Sequence, residues 1–120
     1  MNDQETTIAE LRNAVQKFVN QRDWQQFHAP KNIAMSLAIE AAELMEHFQW
    51  VTTEASRDVV HNEEKMTAIG EELADVLCYT LAMANELNID LSAAFAGKMI
   101  KNARKYPADE FRGRYGPEDG

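Results

Sequence analysis

The sequence predicts an all-α protein, a four-helix bundle, and three observations carry that expectation. No proline interrupts residues 31–106, and the two glycines in that span, Gly70 and Gly97, lie inside periodic segments, so nothing there breaks a long helix. Apolar residues recur at three- and four-residue steps in four separate stretches. Strand-like alternation, internal repeats and low-complexity segments are missing from the chain. Helices joined by short links bury their apolar stripes by packing side by side.

The first helix is expected over residues 8–21. Thr7 with Glu10 three residues on forms a capping-box pattern, and Ile8, Leu11, Val15, Phe18 and Val19 fall on one face. Residues 22–30 read as a connector. The second helix, residues 31–50, carries Ile33, Leu37, Ala41, Leu44 and Phe48 on its apolar face. The third begins between residues 57 and 64 and ends near Asn88, with Ile69, Leu73, Val76, Leu77, Thr80, Ala84 and Leu87 as its core face. These two helices are expected to form the core pair. Asp90 suits the N-cap of a fourth helix through Leu91, Phe95, Met99 and Lys105, and Pro107 ends it by pushing Tyr106 out of helical geometry. Residues 1–107 therefore read as one domain, and residues 108–120, rich in glycine and proline, as a mobile tail.

A chain of 120 residues and 13.6 kDa has room for one core, and 45% hydrophobic with 27% charged residues is the balance of a soluble globular domain. The longest uncharged apolar stretch, residues 76–85, is far too short to span a bilayer, and the polar start lacks a signal-peptide core. The expected location is the cytoplasm, without a membrane partner. Lone Cys78 is read as a small core residue of a reducing compartment. A formal charge of −8 argues against nucleic acid as a partner, because neutralising phosphates needs a positive face. Six of the twelve basic residues nevertheless fall between positions 98 and 114, where a small anion can be met.

The carboxylates are the informative residues. Glu40 and Glu43 make an E-x-x-E step in the second helix, Glu72 and Asp75 an E-x-x-D step in the third, and each i,i+3 pair shares a face. On a helical wheel Ile33, Leu37, Leu44 and Phe48 occupy an arc of about 60°, with Glu40 only about 20° outside it. Glu72 and Asp75 flank their own apolar arc on the same rotational side. Flanks of equal hand converge when two helices pack antiparallel, so all four carboxylates are expected to meet. Such a group raises its own pKa values unless a cation sits among them, and an all-oxygen donor set suits Mg²⁺, or Mn²⁺ in its place. The bland alternative is that these are solvated acidic pairs, as Glu63, Glu64, Glu71 and Glu86 are expected to be. Di-iron chemistry is disfavoured, because no glutamate has a histidine three residues later.

Several segments together carry a resemblance: Arg22-Asp23-Trp24-Gln25-Gln26-Phe27-His28; Glu40 to Glu43; Phe48-Gln49-Trp50; Glu72 to Asp75 with Tyr79; and Lys98 through Asn102 to Tyr106-Pro107. Over about residues 11–107 the chain resembles the all-α nucleoside triphosphate pyrophosphohydrolases of the MazG-like superfamily, and within it the dCTP pyrophosphatase branch. The resemblance implies hydrolysis of a nucleoside triphosphate, dCTP or a modified dCTP foremost, to the monophosphate and pyrophosphate as nucleotide-pool housekeeping. It implies magnesium on Glu40, Glu43, Glu72 and Asp75, and phosphate contacts from Lys98 and Asn102. It also implies that Trp24, His28, Trp50 and Tyr79 surround the base and sugar. Glu43, with Glu40 beside it, is the preferred proton acceptor, since it lies further from the apolar arc. Some relatives carry a histidine where this chain has Val15, which leaves base preference open. A dUTP or broad-specificity hydrolase, and a non-catalytic helical interaction module, stand as alternatives. A second apolar strip on the second helix, Met35, Ile39 and Ala42, lies opposite its core face, and with the resemblance it leads to the expectation of a homodimer or homotetramer.

Overall fold

The computed structural model describes residues 1–114. Its order is α1 (Ile8–Gln21), a 3₁₀ turn (Gln25–Phe27), α2 (Pro30–Glu46), α3 (Thr53–Arg57), a second 3₁₀ turn (Asp58–His61), α4 (Glu63–Leu87), α5 (Leu91–Lys105) and α6 (Ala108–Phe111). There is no strand among the described residues, so the all-α expectation holds, with α1, α2, α4 and α5 as the four principal helices. No helix there is long and apolar enough to cross a membrane.

Local chemistry starts and stops these helices. Thr7 Oγ1 accepts from the Glu10 amide at 3.1 Å, Asn62 Oδ1 from Lys65 at 3.0 Å and Asp90 Oδ1 from Ala93 at 3.0 Å, each satisfying an orphan donor in the first turn. Pro30 opens α2 where its missing N–H costs nothing. Two residues in the left-handed region turn the chain out of helices. Asp23 (φ 52°) follows α1 and sends the Trp24 amide back to the Val19 carbonyl at 3.1 Å, while Asn88 (φ 54°) closes α4 with Ile89 donating to Ala84 at 2.9 Å.

The chain divides into two compact units, Met1–Ile89 and the part from Asp90 onward. In the first, α4 is the central rod, packed by α2 and by α1. Ile33 and Ser36 of α2 share a hollow with Tyr79 of α4, whereas Glu40 and Glu43 meet Glu72, so the two helices run antiparallel. The core comprises Val19, Ile33, Ile69, Leu81, Ala82 and Ala84. At the far end of α4, Arg12 ties α1 down: its guanidinium donates to Asn85 Oδ1 at 2.9 Å, Ile89 O at 2.6 Å and Ala84 O at 3.0 Å, and Asn85 donates back to Arg12 O at 3.0 Å. The second unit holds α5, along which Phe95, Met99 and Ile100 are exposed, and α6, whose Phe111 meets Tyr106 edge-on at 5.3 Å.

Three expectations need correction. The second helix stops at Glu46 rather than residue 50, and Phe48 to Trp50 lie in the turn beyond it. Leu73, Leu77 and Leu87 are exposed, whereas Ile69 and Ala84 of the expected face are buried together with Leu81 and Ala82, because α1 and α2 both dock on α4. Cys78 is likewise exposed rather than a core residue. Of the expected tail, Ala108–Phe111 form a helical turn, and residues 115–120 lie outside the described residues.

Candidate functional site

Antiparallel packing brings the two acidic steps to one level of the α2–α4 seam. Ligand oxygens of Glu40, Glu43 and Glu72 lie within 4.8 Å of one another, each residue half-buried. One oxygen of Glu40 and one of Glu72 are buried with no hydrogen-bond partner. Burial pushes the Glu40 carboxyl up from 4.5 to about 7, with a hydrogen bond and repulsion from Glu43 next and the charges of Asp75 and Glu72 after them. Glu72 is raised too, by burial first and then by Glu43 and Asp75. Asp75, exposed one turn along α4, stays outside the three-residue group yet acts on both members electrostatically.

Unpartnered buried carboxylate oxygens are costly, and a cluster holding two of them is consistent with a positively charged ligand. The donor set is all oxygen and anionic, which fits a hard divalent cation. Glu40, Glu43 and Glu72 are the residues that can hold one, with Asp75 within electrostatic reach.

One helical turn from this cluster, toward the N-terminus of α2 and the C-terminal half of α4, lies a hollow of about 200 Å³ lined by Trp24, Phe27, His28, Asn32, Ile33, Ser36 and Tyr79. A smaller apolar hollow of about 60 Å³ shares Trp24, His28 and Tyr79 and is backed by Val15, Phe18, Cys78 and Ala82. The left-handed turn at Asp23 delivers two of the shared walls, since Trp24 begins and His28 ends the 3₁₀ turn that follows it. Phe18 meets Trp24 edge-on at 5.7 Å, and the Arg22 guanidinium stacks on Phe18 at 3.7 Å, which fixes the indole from behind.

Of the residues singled out from sequence, Glu40, Glu43 and Glu72 come together, and Trp24, His28 and Tyr79 form the adjoining aromatic walls. Trp50 does not join them: it is 88% exposed in the turn after α2 and lines neither hollow. Lys98 and Asn102 belong to the second unit, four residues apart on one face of α5, with Lys98 exposed and Asn102 half-buried. Sequence reasoning missed Asn32 and Ser36. Their signal is helical phase, because they stand eight and four residues before Glu40 on the same side of α2.

The antiparallel helices of this all-α chain thus pool carboxylates, a donor set consistent with a divalent cation, beside an aromatic hollow. Residues 35–115 match the MazG-like family, and the chain belongs to that family. It is 38% identical over 109 residues to dCTP pyrophosphatase 1 of Bos taurus, covering 91% of this chain and 64% of that protein. The Homo sapiens protein of the same name is 39% identical over 104 residues, covering 87% and 61%. The chain thus spans just under two thirds of the length of these relatives. Among solved structures, a pyrophosphatase from Archaeoglobus fulgidus superposes with a TM-score of 0.78 at 36% identity, covering 89% of this chain and 98% of that one.

Proposed function

We propose that this protein is a Mg²⁺-dependent nucleoside triphosphate pyrophosphohydrolase that converts a nucleoside triphosphate, dCTP or a modified dCTP foremost, to the monophosphate and pyrophosphate. The observation that carries the reading is the convergence of Glu40, Glu43 and Glu72 with two buried, unpartnered oxygens among them. The dCTP pyrophosphatase 1 relatives and the solved pyrophosphatase support it.

Bound among these carboxylates, a magnesium ion supplies positive charge for the triphosphate oxygens and for the charge growing on the departing pyrophosphate. The protein's own groups do the rest. Trp24, His28 and Tyr79 take the base and sugar, and stacking on aromatic faces contributes about 1–3 kcal/mol per base. Lys98 and Asn102 are assigned to the phosphates. Glu43 accepts a proton from the water that adds to the α-phosphorus, as the bond from that phosphorus to the bridging oxygen breaks and pyrophosphate leaves. Glu40, its pKa raised chiefly by burial, stands beside Glu43 in this group.

Assembly as a homodimer or homotetramer is part of the proposal. Met35, Ile39 and Met45 of α2 and Leu73 and Leu77 of α4 stand exposed, a cost that a second copy removes. Trp50 faces solvent within one chain and is assigned to a neighbouring copy's nucleotide in the assembly. The cytoplasm is the proposed location, where a free Cys78 stays reduced.

The test is pyrophosphate release from the four dNTPs, the four NTPs and 5-substituted dCTPs, with Mg²⁺ and with EDTA. Metal-dependent release led by the cytidine nucleotides is expected. Preference for dUTP, or for none in particular, moves the assignment to another substrate of the same chemistry. No release from any of them defeats the enzymatic reading.

A further inference from the structure

Hydroxyls inside helices ordinarily bond back to their own backbone, and α4 follows that habit. Thr67 Oγ1 donates to the Glu63 carbonyl at 3.0 Å and Thr80 Oγ1 to Val76 at 2.8 Å. Ser36, in the interior of α2, departs from it. Its hydroxyl makes no hydrogen bond within the described structure, although the residue is half-buried and lines the 200 Å³ hollow. Its neighbour Asn32 is partly engaged, donating to the Phe27 carbonyl at 3.3 Å and so holding the aromatic turn against the start of α2.

The position of Ser36 gives this spare hydroxyl a meaning. Four residues at 1.5 Å rise put it about 6 Å along α2 from Glu40. Across the seam Tyr79 stands four residues from Asp75, so Ser36 and Tyr79 face each other one turn from the acidic group. A nucleotide with its phosphates at the carboxylates and its base among Trp24, His28 and Tyr79 must carry its sugar past this level. We propose that Ser36 is a specificity-determining residue whose hydroxyl hydrogen-bonds a hydroxyl of the nucleotide sugar. The inference rests on the nucleotide-hydrolysing reading and adds to it the group that reads the sugar. A hydroxyl held in a partly enclosed site distinguishes a sugar that can pair with it from one that leaves it unpaired.

The experiment compares kcat/KM for the ribo-, 2′-deoxy- and 2′,3′-dideoxy-triphosphates of whichever base the unaltered protein hydrolyses best, in the unaltered protein, Ser36→Ala and Ser36→Thr. Alanine is the better helix former, so folding is not at risk in the first variant. Expected is a step in kcat/KM at the sugar that lacks the contacted hydroxyl. Ser36→Ala should shrink that step about three- to tenfold, the contribution of one neutral hydrogen bond. Ser36→Thr, which keeps the hydroxyl, should preserve it. Identical sugar ratios in the unaltered protein and Ser36→Ala overturn the Ser36 contact while leaving the hydrolase reading standing. Failure of the unaltered protein to hydrolyse any of the three overturns both.

Discussion

Two polar clusters sit on α4, and they are built on opposite terms. Near its C-terminal end, Arg12 reaches across from α1 and finds a partner for each nitrogen of its guanidinium fork, while Asn85 returns a bond to the Arg12 carbonyl. Near its middle, Glu72 meets Glu40 and Glu43 of α2 in a group of like charges that leaves two buried oxygens without donors. The first cluster is complete within the chain and acts as a structural clamp. The second leaves its charges uncompensated within the chain, an arrangement consistent with a bound cation.

The largest expected effects lie in the incomplete cluster. Glu43→Gln and Asp75→Asn should each lower pyrophosphate release by about a hundredfold or more while the helical circular dichroism is retained. Turnover near that of the unaltered protein in either variant would remove the distinction between the two clusters. Arg12→Ala should do the reverse. Losing charge-assisted hydrogen bonds from a partly buried guanidinium costs about 2–4 kcal/mol of stability, read as a lower urea midpoint, with magnesium affinity at the remaining folded protein unchanged. Unaltered stability there would mean that the clamp is ornamental.

The smallest effect is in pH. Glu40 is protonated more readily in the folded chain, at about 7, than at its ordinary 4.5, and Glu72 is shifted in the same direction. A carboxyl whose folded pKa is raised stabilises the fold fully below its unfolded value, and that contribution is lost as pH rises through the folded one. Metal-free protein should therefore lose stability between about pH 4.5 and 7. Magnesium needs the ionised carboxylates, so the stabilisation it confers should grow over the same interval. Urea midpoints at pH 5 and pH 8, with and without Mg²⁺, test both. A midpoint insensitive to pH without metal would contradict the crowding of charge at this site.

Much of this was legible in the amino acids. Thr7 and Asp90 cap helices because a short side-chain oxygen satisfies an amide in the first turn, whatever the remainder of the chain does. The E-x-x-E and E-x-x-D steps foretold a shared acidic level, because helical phase and antiparallel packing together leave the flanks little choice. The end of α2 was harder to read. Neither glycine nor proline marks Glu46, so periodicity ran on through Phe48 to Trp50 although the backbone had already turned. Leu73 and Leu77 misled for a different reason. A helical wheel weighs hydrophobicity without knowing how many neighbours a helix has, and α4 receives α1 and α2 on separate faces.

The sequence by itself determined the class of fold, most helix starts and the pairing of acidic residues, since each depends on interactions within about a turn of helix. Tertiary structure alone decided which carboxylate oxygens are buried without partners. It also set Trp24 and His28 of a connector opposite Tyr79 of α4, and left the Ser36 hydroxyl unbonded in the hollow between the aromatic walls and the acids. Burial and convergence depend on segments far apart in the chain, and no local pattern encodes where those segments come to rest.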